Sequence, residues 1–174
     1  VMAASRDQRD DHTEHVRALG EIGASLIREL EPLLSAFVAR LRTDPSVPRA
    51  QSPKFWELAD HVGTFVADTS GVLIAIADAG SDPLSAIPDR TAIQQLVAER
   101  HGRQRASLGW TIESLRREWK VLAEEIERAI RRRNPDVDER SVLEAVSIVN
   151  RIIDQAEQVS SRALTTALAR RGSG

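Results

Sequence analysis

The chain has 174 residues, a formal net charge of -2 and no cysteine. A chain of this length is typical of one domain with a sizeable hydrophobic core. The absence of cysteine excludes disulfides, thiol catalysis and cysteine-based metal sites. The near balance of charge gives no general attraction to nucleic acid or to an anionic membrane, so we expect neither as a partner.

The composition favours helices over strands. Aromatic residues make up only 3% of the chain and tyrosine is absent, whereas Ala, Leu, Ile, Arg and Glu dominate. The best apolar stretch, GVLIAIADAG, is shorter than the roughly 20 residues that a membrane-spanning helix needs, and the N-terminus lacks the apolar region of a secretory signal.

The N-terminal half predicts helices that are separated by proline signals. Apolar residues recur at helical spacing over residues 5–42, and Pro32 should kink or split this run near Glu31. The segment RTDPSVPRAQSP predicts a loop, and Ser52-Pro53 predicts the start of the next helix. The strand-like segment GVLIAIA continues the pattern of that helix, so we assign it to buried helix.

The C-terminal half predicts three helices with defined ends. The last of them spans about 30 residues, which is long for a globular domain. We therefore expect an all-α, globin-like or bundle-like fold of five to six helices in one domain, residues 1–171, followed by a tail or cloning scar, residues 172–174. The boundary signals are Pro88 (start), Gly109 (stop), Thr111 (start), Asn134-Pro135 (stop), and Asp136 or Asp138 as the cap of the last helix.

Three of the histidines are weak candidates for ligands. His12 and His15 lie three residues apart and could share a metal, but an exposed N-terminus is the preferred interpretation because a metal site needs three or four convergent ligands. We therefore expect no metal. His61 lies close to the apolar face of its helix, either as a core histidine, which we favour, or as an axial haem ligand.

The fourth histidine, His101, lies one turn before Arg105 and close in sequence to Trp110 and Trp119. These four residues could line a ligand pocket, with His101 as a second candidate for cofactor binding. They could also form a cluster of packing and hydrogen bonds between helices. We favour the cluster, because no second group with matching chemistry accompanies it.

The many arginines between residues 100 and 133 do not indicate a nucleic-acid surface. They alternate with glutamates in the order and spacing of helical ion pairs, which is typical of a solvated helix face. Phosphate-binding loops, nucleophile elbows and zinc-binding helices are all absent as motifs, so we predict no enzymatic activity for this chain. The expected ion pairs are Glu113–Arg117, Glu124–Arg128 and Glu127–Arg131.

The last helix carries an apolar stripe that alternates three- and four-residue steps, as a coiled-coil seam does. We predict that this stripe forms a homodimer interface, and the alternative is one wide face buried within the domain. The predicted interface residues are Val146, Val149, Ile153, Ala156 and Ala163.

The segment ERHGRQRASLGWTIESLRREWKVLAEEI resembles the RsbRD-type N-terminal domain. That family carries a histidine, an arginine, a glycine followed by an aromatic residue, and then a hydrophobic-x-x-L-x-x-E-aromatic run with a basic residue. The resemblance is strongest over residues 52–133. The matching positions are His101, Arg105, Gly109-Trp110, Leu115, Arg117, Glu118 and Trp119.

The resemblance implies a bacterial, cytoplasmic sensory or regulatory domain. Members precede output domains in stressosome proteins and sensor histidine kinases, and related domains look like haem-free globins that form dimers. We therefore expect an input domain without a cofactor, which passes a signal through its last helix to an output module. The alternatives are a haem- or small-molecule-binding sensor that uses His61 or His101, a helical enzyme, and a purely structural dimerisation module.

Overall fold

The fold is built from α-helices. The computed structural model describes the backbone of residues 4–79 and 88–172 and the side chains of residues 13–79 and 93–171. No strand occurs within these residues, so the all-α class is confirmed. The helices are α1 (Ala4–Arg28), α2 (Leu30–Thr43), α3 (Phe55–Ala79), α4 (Pro88–Ser107), α5 (Ile112–Arg133) and α6 (Glu139–Gly172), with a short 3₁₀ turn at Pro48–Ala50.

The predicted break at Pro32 lies between α1 and α2. Proline has no N–H to donate, and its ring clashes with the carbonyl of the residue four positions earlier, which here is Arg28. The first helix accordingly ends at Arg28, and Glu29 separates it from α2. The kink is therefore three residues before the proline that causes it.

Helix α3 is the apolar helix of the core. It packs against α1, α2 and α4, and its buried side chains include Leu58, Val62, Phe65 and Leu73. By length and composition alone α3 could cross a membrane, but core helices of soluble proteins pass the same test. The segment GVLIAIA lies within it, which confirms its assignment to helix.

The corner between α4 and α5 follows the local signals closely. Gly109 has a φ of 74°. The Gly109 N–H donates to the Ala106 carbonyl at 3.1 Å, and the Trp110 N–H donates to the Arg105 carbonyl at 3.0 Å. This is a Schellman ending, in which the left-handed residue is usually glycine. Thr111 then caps α5 by accepting a hydrogen bond from the Ser114 N–H at 3.1 Å, as predicted.

Helix α6 has 34 residues and packs on α1, α3, α4 and α5. Its closest neighbour is α4, because Gly102 of α4 allows the backbone carbonyl of Ser160 to approach. Arg171 donates to the carbonyl of Ala106 at 3.1 Å, so the two helices run in the same direction. The helix extends to Gly172, within the expected tail, while residues 173–174 lie outside the described residues.

The apolar stripe of α6 faces the domain's own core. Val149, Ile153 and Ala156 are buried within the chain, while Val146 and Ala163 are partly buried. In this arrangement the three buried side chains are covered by the chain itself and have no surface left for a partner. These three positions therefore belong to one wide face buried within the domain, and any dimer surface on α6 must use others.

We expect Asp138→Ala to lower the free energy of unfolding by about 1 kcal/mol, as loss of an N-cap commonly does. Asp138 accepts from the Ser141 N–H at 2.9 Å and from its hydroxyl at 2.6 Å. Asp136→Ala is the matched control, because Asp136 is exposed and makes no capping bond to α6. Urea unfolding measures both variants, and equal losses would contradict the assignment of Asp138 as the cap.

Candidate functional site

A guanidinium group lies fully buried where α3, α4 and α5 meet. Arg105 of α4 is 0% exposed. Its Nε and Nη2 donate to the Glu118 carboxylate of α5 at 3.0 and 2.6 Å. Nη2 also donates to the Leu58 carbonyl of α3 at 2.8 Å, and Nη1 donates to the Glu57 carbonyl and the Gln104 side chain, both at 2.9 Å. All five N–H donors therefore have partners, which a buried guanidinium requires.

His101 is the second side chain that bonds to the Glu118 carboxylate. Its Nε2 lies 2.9 Å from Glu118 Oε2, and both side chains are buried. Burial lowers the pKa of His101, which favours the neutral ring with a proton on Nε2 donating to the carboxylate. Burial alone would raise the pKa of Glu118, but the charge of Arg105 and the hydrogen bonds outweigh it and hold that pKa at about 2.

Two tryptophans pack against the partners of Glu118: Trp110 against Arg105 and Trp119 against His101. The Arg105 guanidinium carbon lies 4.8 Å from the Trp110 ring centroid, a cation–π distance. The Trp119 ring centroid lies 5.1 Å from that of His101 and 4.9 Å from that of Phe65. The structure thus brings together all four residues expected to cluster. We call His101, Arg105, Trp110, Glu118 and Trp119 the buried ionic cluster.

The sequence singles out Glu118 only as a member of the family motif and as one of the glutamates of the charged helix face. A helical stripe could have revealed its burial, because it falls among the apolar residues of α5, between Leu115 and Leu122. The matching stripe on α4 has small residues around the two polar ones. It consists of five buried residues at positions i, i+3, i+4, i+7 and i+8, which share one face of the helix: Ala98, His101, Gly102, Arg105 and Ala106.

His61 lies on α3 near the cluster but does not bond to it. Its Nδ1 is 3.5 Å from Asp60 Oδ2. Burial lowers the pKa of His61, and the charges of Arg100 and Arg105 act in the same direction. The other candidate for cofactor binding, His101, has its Nε2 engaged by Glu118, so an iron atom could reach that nitrogen only after this hydrogen bond breaks.

The expectation that His15 lies on an exposed terminus is wrong. His15 is buried, with Nδ1 2.7 Å from Ser141 Oγ and Nε2 2.6 Å from Glu144 Oε2, so it fixes α1 to the start of α6. A serine, a histidine and a carboxylate are thus adjacent, but Ser141 is fully buried and its hydroxyl donates to Asp138. That is a helix cap, with no accessible nucleophile.

The side chain of His12 lies outside the described residues. Within the part of the chain whose side chains are described, no group of three or more histidine, aspartate or glutamate residues is placed to hold a metal ion.

The ion pairs on α5 agree only partly with the helical spacing. Arg131 and Glu127 are paired at 3.0 Å, as predicted. Arg117 instead bonds to Asp44 at 2.6 Å, and Arg128 bonds to Glu125 at 2.5 Å. Groups at the C-terminal end of α2 compete for these side chains, since Asp44 follows the last residue of α2 and Arg40 of that helix engages both Glu124 and Glu125. These contacts hold α2 against α5, which a solvated face would not do.

Comparisons with known proteins do not assign the chain to a family. No family model matches it, and no curated protein or solved structure does either. The functional assignment therefore depends on the geometry of the chain and on the resemblance of its motif.

Proposed function

We propose that the chain is the input domain of a bacterial, cytoplasmic signalling protein, and that α6 passes its signal to an output module. The observation that carries this proposal is the length of α6 together with the number of helices that it contacts. It contacts α1, α3, α4 and α5 and has 34 residues. A single rigid element in contact with four others can be shifted by a change at any of them.

A physical connection joins the end of α6 to the buried ionic cluster. The Arg171 side chain bonds to the Ala106 carbonyl at the end of α4. Ala106 follows Arg105 and lies one turn before the Gly109 corner that leads into α5. A signal that alters the corner would therefore reach the end of α6 through one hydrogen bond and the α4–α6 contact.

The resemblance to RsbRD-type N-terminal domains supports the same function, because six of its eight motif residues form the cluster and the corner; the other two are Leu115 and Arg117. A globin-like arrangement of the helices and the absence of catalysis belong to this proposal as well. A signal must bind two arrangements of the domain with unequal affinity to shift their populations. A small rotation or slide of α6 is the movement we propose.

The proposal includes a homodimer, since a symmetric pair of input domains would present two α6 helices to the output module. Exposed apolar side chains are available for such an interface outside the buried stripe. Within the described side chains they include Ile93 and Leu96 on α4 and Leu143 and Leu168 on α6. Light scattering on the isolated chain should give twice the mass of one chain, and a monomer at high concentration would contradict the dimer.

A register experiment tests transmission through α6. The chain is fused after Gly172 to the catalytic core of a histidine kinase that needs an input domain. One residue inserted between Gly172 and the kinase core leaves the Arg171–Ala106 bond in place and rotates everything downstream by about 100°, whereas seven residues nearly restore the phase. We expect the single insertion to change autophosphorylation at least severalfold and the seven-residue insertion to restore it. Equal activity in all three fusions would contradict the proposal.

A further inference from the structure

A cleft runs along the surface between α4 and α6, in two adjoining parts. The larger part has a volume of about 510 Å³ and the smaller part about 210 Å³. The two share Gln95, Val159 and Arg162 in their walls. The volume of the larger part is within the size range of small-molecule sites, which is roughly 300–1,000 Å³. Neither His61 nor His101, the two candidate cofactor ligands, lines this cleft.

One wall of the larger part is a row of polar side chains on α6. Arg162, Thr166 and Arg170 follow one another at four-residue steps, so they lie on one face of the helix. Neither Arg162 nor Arg170 has a carboxylate partner among the described residues. On the opposite wall Arg103 is already paired with Glu99. The cleft therefore offers two arginines whose charge is not neutralised.

The other surfaces of the cleft differ from this row. The floor of the larger part consists of Val159, Ala163 and Ala167, which is apolar. The smaller part carries the side chains of four glutamines, Gln94, Gln95, Gln155 and Gln158.

We propose that this cleft binds a small, soluble organic phosphate. The phosphate group lies between Arg162 and Arg170, and the organic part covers the apolar floor of Val159, Ala163 and Ala167. The two arginine Cα atoms are about 12 Å apart along the helix. Both side chains are long enough to converge near Thr166. The cleft can hold this ligand whether or not the chain is an input domain.

The arginine geometry favours a phosphate over a carboxylate. Each guanidinium donates in a planar fork that matches two oxygen atoms. A carboxylate has only two oxygens and is satisfied by one fork, whereas a phosphate monoester has three terminal oxygens that two forks can share. A soluble source is favoured over a lipid headgroup because the chain's net charge of -2 gives no general attraction to an anionic membrane.

Calorimetric titration of the purified chain with phenyl phosphate tests the site. We expect binding that is at least about tenfold tighter than that of inorganic phosphate or phenylacetate, because only phenyl phosphate uses both the arginines and the floor. The double variant Arg162→Gln/Arg170→Gln should weaken it by at least about tenfold. Arg151→Gln is the matched control, since Arg151 is an exposed α6 arginine outside the cleft, and it should change nothing.

A floor variant and vesicles complete the design. Ala167→Leu narrows the floor, so it should remove the preference for phenyl phosphate while inorganic phosphate still binds. Co-sedimentation with phosphatidic acid vesicles should show no binding beyond that of the double variant. The proposal is overturned if phenyl phosphate does not bind, if phenylacetate binds equally well, if Arg151→Gln weakens binding as much as the double variant, or if only the vesicles bind.

Discussion

Glu118→Gln is expected to lower the free energy of unfolding by about 3–5 kcal/mol, the usual cost of removing one partner from a buried ion pair. Glutamine has nearly the same shape as glutamate, so the loss is electrostatic rather than a packing defect. The substitution leaves the Arg105 guanidinium buried without a counter-charge where α3, α4 and α5 meet. Urea unfolding followed by tryptophan fluorescence measures the effect.

The control for this variant is Glu127→Gln on the same helix. Glu127 is paired with Arg131 on the surface, and such pairs contribute no more than about 1 kcal/mol. A similar loss in both variants would contradict a special role for the buried pair. The double variant Arg105→Met/Glu118→Leu should lose less than the sum of its two single variants, because it leaves neither charge unpaired.

The same pair makes stability depend on pH. The pKa of Glu118 is about 2 in the folded chain, against 4.5 for an ordinary glutamate in water. Its contribution is therefore complete above pH 4.5 and is lost as pH falls toward 2, by about 3 kcal/mol in all. His101 adds to this loss below pH 6.5, the ordinary pKa of histidine, because its folded pKa is lowered and acid favours the unfolded chain. Glu118→Gln should flatten the profile between pH 4.5 and 2, and an unchanged slope there would contradict the assignment.

Gly102→Ala is expected to destabilise the fold, although alanine at a helix interior normally stabilises by about 1 kcal/mol relative to glycine. The added Cβ would overlap the backbone carbonyl oxygen of Ser160, which cannot rotate away. The α4–α6 pair must therefore separate, and overpacking of this kind costs about 1–3 kcal/mol or more.

Gly63→Ala is the matched control for Gly102→Ala. Gly63 also lies within a helix, but a Cβ added there would lie 3.3 Å from Leu34 Cδ1, the tip of a flexible side chain. We expect this variant to be neutral or slightly stabilising. The decisive measurement is the sign of the difference between the two melting temperatures. If Gly102→Ala is the more stable variant, the close approach of α4 and α6 does not limit the fold.

Most helix ends could be predicted from the sequence because their causes are local. Pro32, Gly109, Thr111 and Asn134 act through bonds or clashes within four or five residues of themselves. The start of α3 was less well placed. The sequence suggested Ser52-Pro53, but the helix begins at Phe55, and Glu57 accepts from the Lys54 N–H at 2.7 Å.

The candidate cluster could be predicted only in part. The sequence predicts a cluster of four of its residues, His101, Arg105, Trp110 and Trp119, because they lie close together on either side of the Gly109 corner. The sequence did not show that Arg105, among the arginines of its segment, is the buried one, while Arg100 and Arg103 are exposed. Nor did it show that Glu118 is the common acceptor. Both facts depend on which face of α4 meets α5, and that is decided by packing between residues 13 positions apart.

The amino-acid sequence by itself determined the helical class, most boundaries of the helices and the existence of an apolar stripe on α6. Only the tertiary structure decided what covers that stripe. A row such as Val149, Ile153 and Ala156 looks the same whether it packs on a second chain or on its own domain, because the hydrophobic effect has no preferred direction and scales with the area removed from water. Here α1, α3, α4 and α5 cover the stripe. Their own apolar faces are removed from water by the same contacts, so both sides of each contact stabilise the fold.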